Sequence, residues 1–299
     1  MLLKRSLADS TTTNYQRSWK MLRDYCKNEL TVKLSLPVDV NTVSLFLANL
    51  QRRGYAASTI LTHSAALSYI HKLNNWPDPA NSFVVKSLLN SIKKCCPKSL
   101  AKLSIPLHML HELLKNLQTV MCSKYDECLY KAIFLMQYHA CARVGELVMS
   151  GKNHQNVLKV NQITFCNDAI LVDFLFFKHN TEVSSEVITI ESIEGSHCPV
   201  SCLQLYMQKR GENPGFLFIT SGGKPVTRTM ASHALKLLVT AAGYDCKRYD
   251  THGLRYGRAS QAAEEGWSET QIQQLGRWKS NAYKKYIRRP ALARNSSKS

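Results

Sequence analysis

"HGLRYGRASQAAEEGWSETQIQQLGRWKSNAYKKYIRRP" (residues 252–290) holds much of this chain's reactive chemistry in one run. His252 and Arg255 stand three apart, so on a helix they occupy one turn and one face. Ala259, Ala262 and Ala263 follow at a spacing that marks where such a helix packs. An imidazole and a guanidinium near a helix start form a natural oxyanion or phosphate site. Further on, Tyr283 and Tyr286 also stand three apart, among Lys279, Lys284, Lys285, Arg288 and Arg289. Two phenols among so many cations are either packing residues with wet hydroxyls, or one of them faces an anion. Helical spacing does not choose between them, because residues three apart share a face.

Composition points to nucleic acid as the anion. The 299-residue chain carries 39 Lys+Arg against 21 Asp+Glu, a formal net charge of +18. Residues 1–100 hold 14 Lys/Arg and 5 Asp/Glu, which is +9; the remainder holds 25 and 16, again +9. A chain basic along both halves suits a protein that grips a phosphate backbone from more than one side. With 44% hydrophobic and 9% aromatic residues it is globular, long enough for one large domain or two ordinary ones. The opening "MLLKRSLADSTTTNYQRSW" lacks the apolar core of a secretory leader, Cys95 and Cys96 are adjacent, and Cys141 sits in an apolar run. The 10 cysteines are therefore expected to be reduced intracellular thiols. His197, Cys198 and Cys202 are followed by no second pair at finger-like spacing, so no metal is expected. No apolar run approaches the ~20 residues of a membrane span.

Apolar periodicity lays out the organisation. Residues 10–30 carry Tyr15, Trp19, Leu22 and Cys26 at helical spacing, with Ser10 to Thr13 as cap candidates. Asp39 is the expected N-cap of a second helix with Val43, Phe46, Leu47 and Leu50 in its stripe. A third turns Ile60, Leu67, Ile70 and Leu73 inward, and a fourth carries Val85, Leu88, Leu89 and Ile92. Residues 1–95 thus read as a helical bundle, and 96–107, with Pro97 and Pro106, as a basic linker. Residues 108–299 form the second domain. Helices over "LHMLHELLKNLQTV" and "DECLYKAIFLMQYHACARVGELVMS" lead into three β-rich runs, "VLKVNQITF", "AILVDFLFF" and "EVITIESI", after which helices return. The fold class expected is mostly α with a small antiparallel β-sheet.

Two further residues are unusual. Arg143 falls in a strongly apolar helical stretch, where a charge needs a partner or lines a site; Glu146, three residues on, is the available partner. Lys178 ends an apolar strand at a hairpin tip, a common place for a lysine.

Taken in order, Arg143, Lys178, His252, Arg255, Trp278 and a tyrosine resemble the tyrosine recombinase (phage integrase) family, whose catalytic domain presents Arg, Lys, His-x-x-Arg, His or Trp, and a nucleophilic Tyr. "RVGEL" around Arg143 and "CPVSCLQLY" at 198–206 fit the same family. The ending "GRW…AY..YIR" looks most like recombinases of DIRS-type and Crypton-type eukaryotic mobile elements. The resemblance spans nearly the whole chain, and its specificity lies in residues 252–286.

The resemblance implies a two-domain clamp on DNA, with residues 1–95 as a SAM-like core-binding domain. It implies a site-specific recombinase or integrase that works through a 3′-phosphotyrosine, without cofactor, metal or ATP. Tyr286, in the "YIR" context, becomes the nucleophile. Arg143, Arg255 and Trp278 become the phosphate's ligands, His252 either a further donor to that phosphate or the group that manages the nucleophile's proton, Lys178 the general acid for the departing 5′ hydroxyl, and Glu146 a supporting group. Arg52, Arg53, Lys93, Lys94, Arg277, Lys279 and Lys284 are expected to face DNA. Many family members have one more residue between the His/Trp position and the nucleophile, so Arg277 competes with Trp278 for that slot; the distance from His252 favours Trp278. The implied partners are double-stranded DNA and further copies of the chain, a dimer on a site and a tetramer in synapsis, with no membrane. In a eukaryotic source the implied location is the nucleus. The alternatives are a catalytically silent DNA-binding derivative and type IB topoisomerase-like strand relaxation.

Overall fold

The computed structural model describes residue 7 and residues 9–96, 100–151, 154–175 and 185–287. It divides into two compact units, Met1–Ser99 and Leu100–Ser299.

In the first unit four helices, α1 (Asp9–Asn28), α2 (Val40–Arg52), α3 (Ala57–Leu73) and α4 (Phe83–Cys95), enclose one core. Leu22, Val43, Phe46, Leu47, Ile60, Leu67, Val85 and Ile92 are buried in it, as the helical spacing requires. Asp39 caps α2 by accepting from Thr42 N at 2.9 Å. α1 begins at Asp9, so Ser10 to Thr13, expected to precede it, lie within its first turns. Leu73 is not inward either: it ends α3 and is 37% exposed, since the last turn runs past the core. Arg52, Arg53, Lys93 and Lys94 are all exposed. Arg52 lies 3.5 Å from Glu29, and Arg53 lies over the Tyr55 ring.

The second unit opens with segment 100–106, the latter part of the expected linker. It is docked rather than free: Leu103 N donates to Arg248 O at 2.8 Å, Ile105 N to Gly253 O at 2.9 Å, and Ile105 is fully buried. Then come α5 (Leu107–Lys115), α6 (Leu117–Val120), α7 (Lys124–His139) and the single turn α8 (Val144–Leu147). An antiparallel sheet follows, in the order β1 (Ile163–Phe165), β2 (Ala169–Phe174), β3 (Glu186–Glu191). On β2, Ile170, Val172 and Phe174 alternate inward, and Ile170 and Val172 pair with Ile190 and Ile188 of β3. Four further helical elements complete the unit: α9 (Pro199–Arg210), α10 (Arg228–Ala241), α11 (His252–Glu264) and α12 (Glu269–Gly276). A 3₁₀ turn, Asn281–Lys285, closes it.

One expected helix is broken. The stretch around Arg143 is not continuous: α7 stops at His139 and Cys141 adopts φ +46°. Cys141 N donates to Tyr138 O and Ala142 N to Gln137 O, both at 3.0 Å, which is the paired-bond pattern of a helix C-terminus. A non-glycine residue in that conformation costs about 1–2 kcal/mol. Cys141 is held there by burial against Ala259, Ala262 and Trp278. The break takes Arg143 off the apolar helix and makes it the residue that starts α8.

Candidate active site

The site is assembled on α11. Asp250, one residue before the N-cap Thr251, accepts through Oδ1 from His252 N at 2.9 Å and from Gly253 N at 3.3 Å, so it satisfies the first N–H groups of the helix and fixes where His252 emerges. Gly253 and Gly257 allow segment 103–105 to lie against α11. A Cβ on Gly257 would fall 1.8 Å from Ile105 O, and one on Gly253 2.8 Å from Leu103 O. One turn beyond His252, Arg255 is fully buried and its Nη2 donates to Gly276 O. Among the described residues its Nε and Nη1 have no hydrogen-bond partner. Two buried, charged N–H groups without a partner are costly unless an anion visits them. Burial first, then Arg143 and Arg277, draws this guanidinium down to about 10, so it remains charged at neutral pH.

The end of α12 supplies the opposite wall. Arg277 adopts φ +53°, which turns the chain back and sends Arg277 and Trp278 in different directions. Trp278 lies with its ring 4.4 Å from the Arg255 guanidinium and 4.8 Å from the Tyr286 ring. Its buried Nε1 has no partner among the described residues. Gly276 makes room for that ring, since a Cβ there would meet Trp278 at 1.9 Å. Arg277, expected on the DNA-facing surface, is instead buried: its Nη2 donates to Glu146 Oε2 at 2.7 Å and its Nη1 to Ala140 O at 3.3 Å. A guanidinium enclosed in this way is not placed for a backbone phosphate. Trp278 is thus the one of the two that lies against Arg255 and Tyr286, while Arg277 turns to Glu146.

The two tyrosines separate. Tyr283 is 1% exposed, in a small core with Ala259, Ala262, Ile272 and Leu275. The 3₁₀ turn ends at Lys285, so Tyr286 stands one residue past it, and its carbonyl accepts from Ser260 Oγ on α11 at 3.3 Å. Its Oη lies 3.2 Å from His252 Nε2. The phenol ring is boxed by His252, Tyr256 and Trp278, with centroids at 5.2, 5.0 and 4.8 Å. Arg255 lies 5.4 Å from its centroid.

Arg143 is bound twice to Glu146: its N donates to Oε2 at 2.8 Å and its Nη1 to Oε1 at 2.9 Å. It keeps partial exposure, and it acts electrostatically on both His252 and Arg255. His252 is held below the ordinary imidazole value, first by burial and then by Arg255, with Arg143 and Arg228 in the same direction and Asp250 opposing. Burial alone raises the Glu146 carboxyl, but Arg277, Arg255 and Arg143 outweigh it and keep it ionised. Lys178 lies in the β2–β3 connection, outside the described residues. Lys279 is exposed, and Lys284, also exposed, pairs with Glu269 at 3.1 Å. Among the described residues no group of three His, Cys, Asp or Glu could hold a metal, and no helix is long and apolar enough to cross a membrane. Asp250, Tyr256 and Gly276 went unread in the sequence. The Asp-x-His order was the available signal, a carboxylate two residues before the imidazole that accepts from the first backbone N–H groups of α11.

A helical bundle, a helical unit with a small antiparallel sheet, and a phenol beside the buried unpaired donors of Arg255 and Trp278 are the features on which the chain can be set against known proteins. The chain belongs to the phage integrase family, whose pattern matches residues 107–289. The recombinase Cre of Escherichia phage P1 is 30% identical over 84 residues, which is 26% of this chain; the match spans only about a quarter, 24%, of that recombinase. The Tn1549 transposon integrase in complex with circular intermediate DNA superposes with a TM-score of 0.65 at 16% identity, over 96% of this chain and 92% of that one. XerH site-specific recombinase bound to difH gives 0.66 at 15% identity, over 93% and 76%. A lambda integrase dimer bound to a COC′ core site gives 0.65 at 14%, over 96% and 74%. At such identities the likeness to the solved structures is one of fold.

Proposed function

We propose that this chain cleaves and rejoins DNA as a site-specific recombinase or integrase, through a 3′-phosphotyrosine on Tyr286. The observation that carries the reading is one cluster of side chains in which Tyr286 Oη meets His252 Nε2 beside the unpaired N–H groups of Arg255 and Trp278. The phenol oxygen attacks phosphorus, the bond to the 5′ oxygen breaks, and that oxygen leaves with its electron pair and takes up a proton. Negative charge gathers on the nonbridging oxygens, where Arg255, Trp278 and Arg143 donate. His252, biased toward its neutral form, accepts the phenolic proton. Lys178 is the proposed donor to the leaving oxygen. The new phosphodiester retains the energy of the old one, so rejoining needs neither ATP nor a metal.

The test is to incubate the chain with random-sequence nicked duplexes in EDTA and look for a covalent protein–DNA band. Wild type and Tyr283→Phe should form it and Tyr286→Phe should not. A band that survives Tyr286→Phe overturns the nucleophile. No band from any protein leaves a DNA-binding derivative, and loss of the band in EDTA alone points to metal chemistry. Plasmid relaxation without recombinant product would indicate a type IB topoisomerase-like activity.

Finer points belong to the same proposal. The "GRW…AY..YIR" ending supports an origin in DIRS-type or Crypton-type elements, with a nuclear site of action; a tagged chain confined to the cytosol would count against the latter. Double-stranded DNA is the proposed partner. A dimer on one site and a tetramer in synapsis are in line with the lambda integrase dimer and tetramer among the structural neighbours. Light scattering on trapped complexes that gave one chain per DNA would refute that stoichiometry.

A further inference from the structure

Arg277 is a buried cation beside the site that the proposed reaction leaves without a task. Its side chain has 0% exposure, yet it sits where three separated parts of the unit converge. Its Nη2 holds Glu146 Oε2 at 2.7 Å, its Nη1 reaches Ala140 O at the end of α7, and its guanidinium carbon lies 3.8 Å from the Phe174 ring centroid. Glu146 in turn holds Arg143 through both its backbone N and its Nη1. Phe174 is the last residue of β2, where the chain enters the connection that carries Lys178. Next along the chain is Trp278, which the left-handed turn at Arg277 swings into the site.

We propose that Arg277 is a positioning residue: by fastening one oxygen of Glu146 and bracing the end of β2, it fixes Arg143 for the phosphate while its own backbone turn delivers Trp278. This rests on the strand-transfer reading above. The charged groups facing Glu146 are Arg143 on its own turn, Arg255 from α11 and Arg277 from beyond α12, with the Cys141 thiol nearby. With three guanidiniums present the carboxylate stays ionised. Without Arg277, which lies 2.7 Å from Glu146 Oε2, burial of the carboxyl is less fully opposed, so its titration moves upward and Glu146 loses the contact that orients it toward Arg143.

The experiment uses the full chain and a nicked duplex recovered from the random-sequence pool by wild-type capture. Arg277→Met should slow covalent capture at saturating DNA by about 10- to 100-fold, the usual scale for a residue that orients a reacting group. DNA affinity, measured in a Tyr286→Phe background, should change less than about threefold, and Arg277→Lys should restore part of the rate. Glu146→Gln should show a similar loss, and Arg277→Met with Glu146→Gln should be no slower than the worse single variant. Losses that multiply in the double variant, or a fall in affinity in place of rate, overturn the proposal. If Arg277→Met does not fold, Arg277→Lys carries the same cycle. A readout independent of cleavage is the side-chain carboxyl carbon of Glu146 followed by NMR against pH. Its titration should move upward in the Arg277 variant, and an unmoved titration overturns the inference. Wild-type protein that captures no DNA while Glu146 titrates as expected would sink the strand-transfer reading and leave the Arg277–Glu146 lock standing.

Discussion

His252 illustrates how a neighbourhood sets one residue's protonation. Its ordinary value is 6.5 and the folded value lies lower, because burial and the surrounding guanidiniums disfavour imidazolium. A lowered value means that the neutral ring, the form able to accept the Tyr286 proton, persists further into acid. The acid limb of covalent capture should therefore have its half-point below about 6.5, the ordinary imidazole value. A rate that rises on acidification through that value would make imidazolium the active form and reverse the assignment. His252→Asn should be slow at every pH and lose this acid limb. At this scale His252, Arg255 and the tyrosine pair were legible, because spacing alone puts them on shared turns. The choice of Tyr286 over Tyr283 rested on family context; in the structure Tyr283 is buried, while Tyr286 stands one residue past the 3₁₀ turn with its Oη 3.2 Å from His252 Nε2. Arg277 was misread as a surface cation because nothing in "LGRWKS" records a left-handed backbone.

The helices end in ways that matter more than their middles. α7 and α12 both terminate in non-glycine left-handed residues, Cys141 and Arg277, and each turn aims the next residues at the site. A glycine is the usual signal for such an end, so the α7 stretch read as a continuous helix through Arg143. The sheet was easier, since Ile170, Val172 and Phe174 alternate without ambiguity. Close approach between elements left only a faint trace, in Gly253 and Gly257. On α11 the Cβ of an alanine at 257 would sit 1.8 Å from the backbone oxygen of Ile105, and backbone yields less readily than a side-chain tip. Gly257→Ala should destabilise the second unit by about 1–3 kcal/mol or more, the scale of overpacking. Gly222→Ala, whose nearest neighbour is Thr220 Oγ1 at 3.9 Å, should change stability by no more than about 0.5 kcal/mol. Urea unfolding monitored by circular dichroism compares the two; equal midpoints would mean that segment 103–105 is not packed on α11 in solution.

The charge of the molecule is shared evenly, with Leu100 onward bearing 25 Lys/Arg against 16 Asp/Glu and residues 1–99 bearing 14 against 5. The two-unit division was legible from the polar, proline-marked run after α4. Its edge was not, because segment 100–106 joins the second unit through backbone hydrogen bonds that leave no side-chain periodicity. Equal charge on both units means that the first contributes phosphate contacts of its own under the proposed function. Each neutralised phosphate contributes about −0.9 to the slope of log affinity against log salt. Lys93 and Lys94 stand exposed in the last turn of α4. Lys93→Ala with Lys94→Ala should thus make the slope shallower by roughly 2, to the same extent on unrelated sequences, because phosphate contacts carry no base information. Arg52 already lies 3.5 Å from Glu29 in an exposed pair. Such pairs are worth at most about 1 kcal/mol, so the arginine is free to exchange Glu29 for DNA. Glu29→Gln should therefore tighten binding slightly at low salt, and Arg52→Ala should weaken it. Fluorescence anisotropy between 50 and 300 mM salt measures both effects. An unchanged slope in the lysine double variant would turn the α4 face away from DNA and leave the first unit's excess charge to α1, α2 and α3.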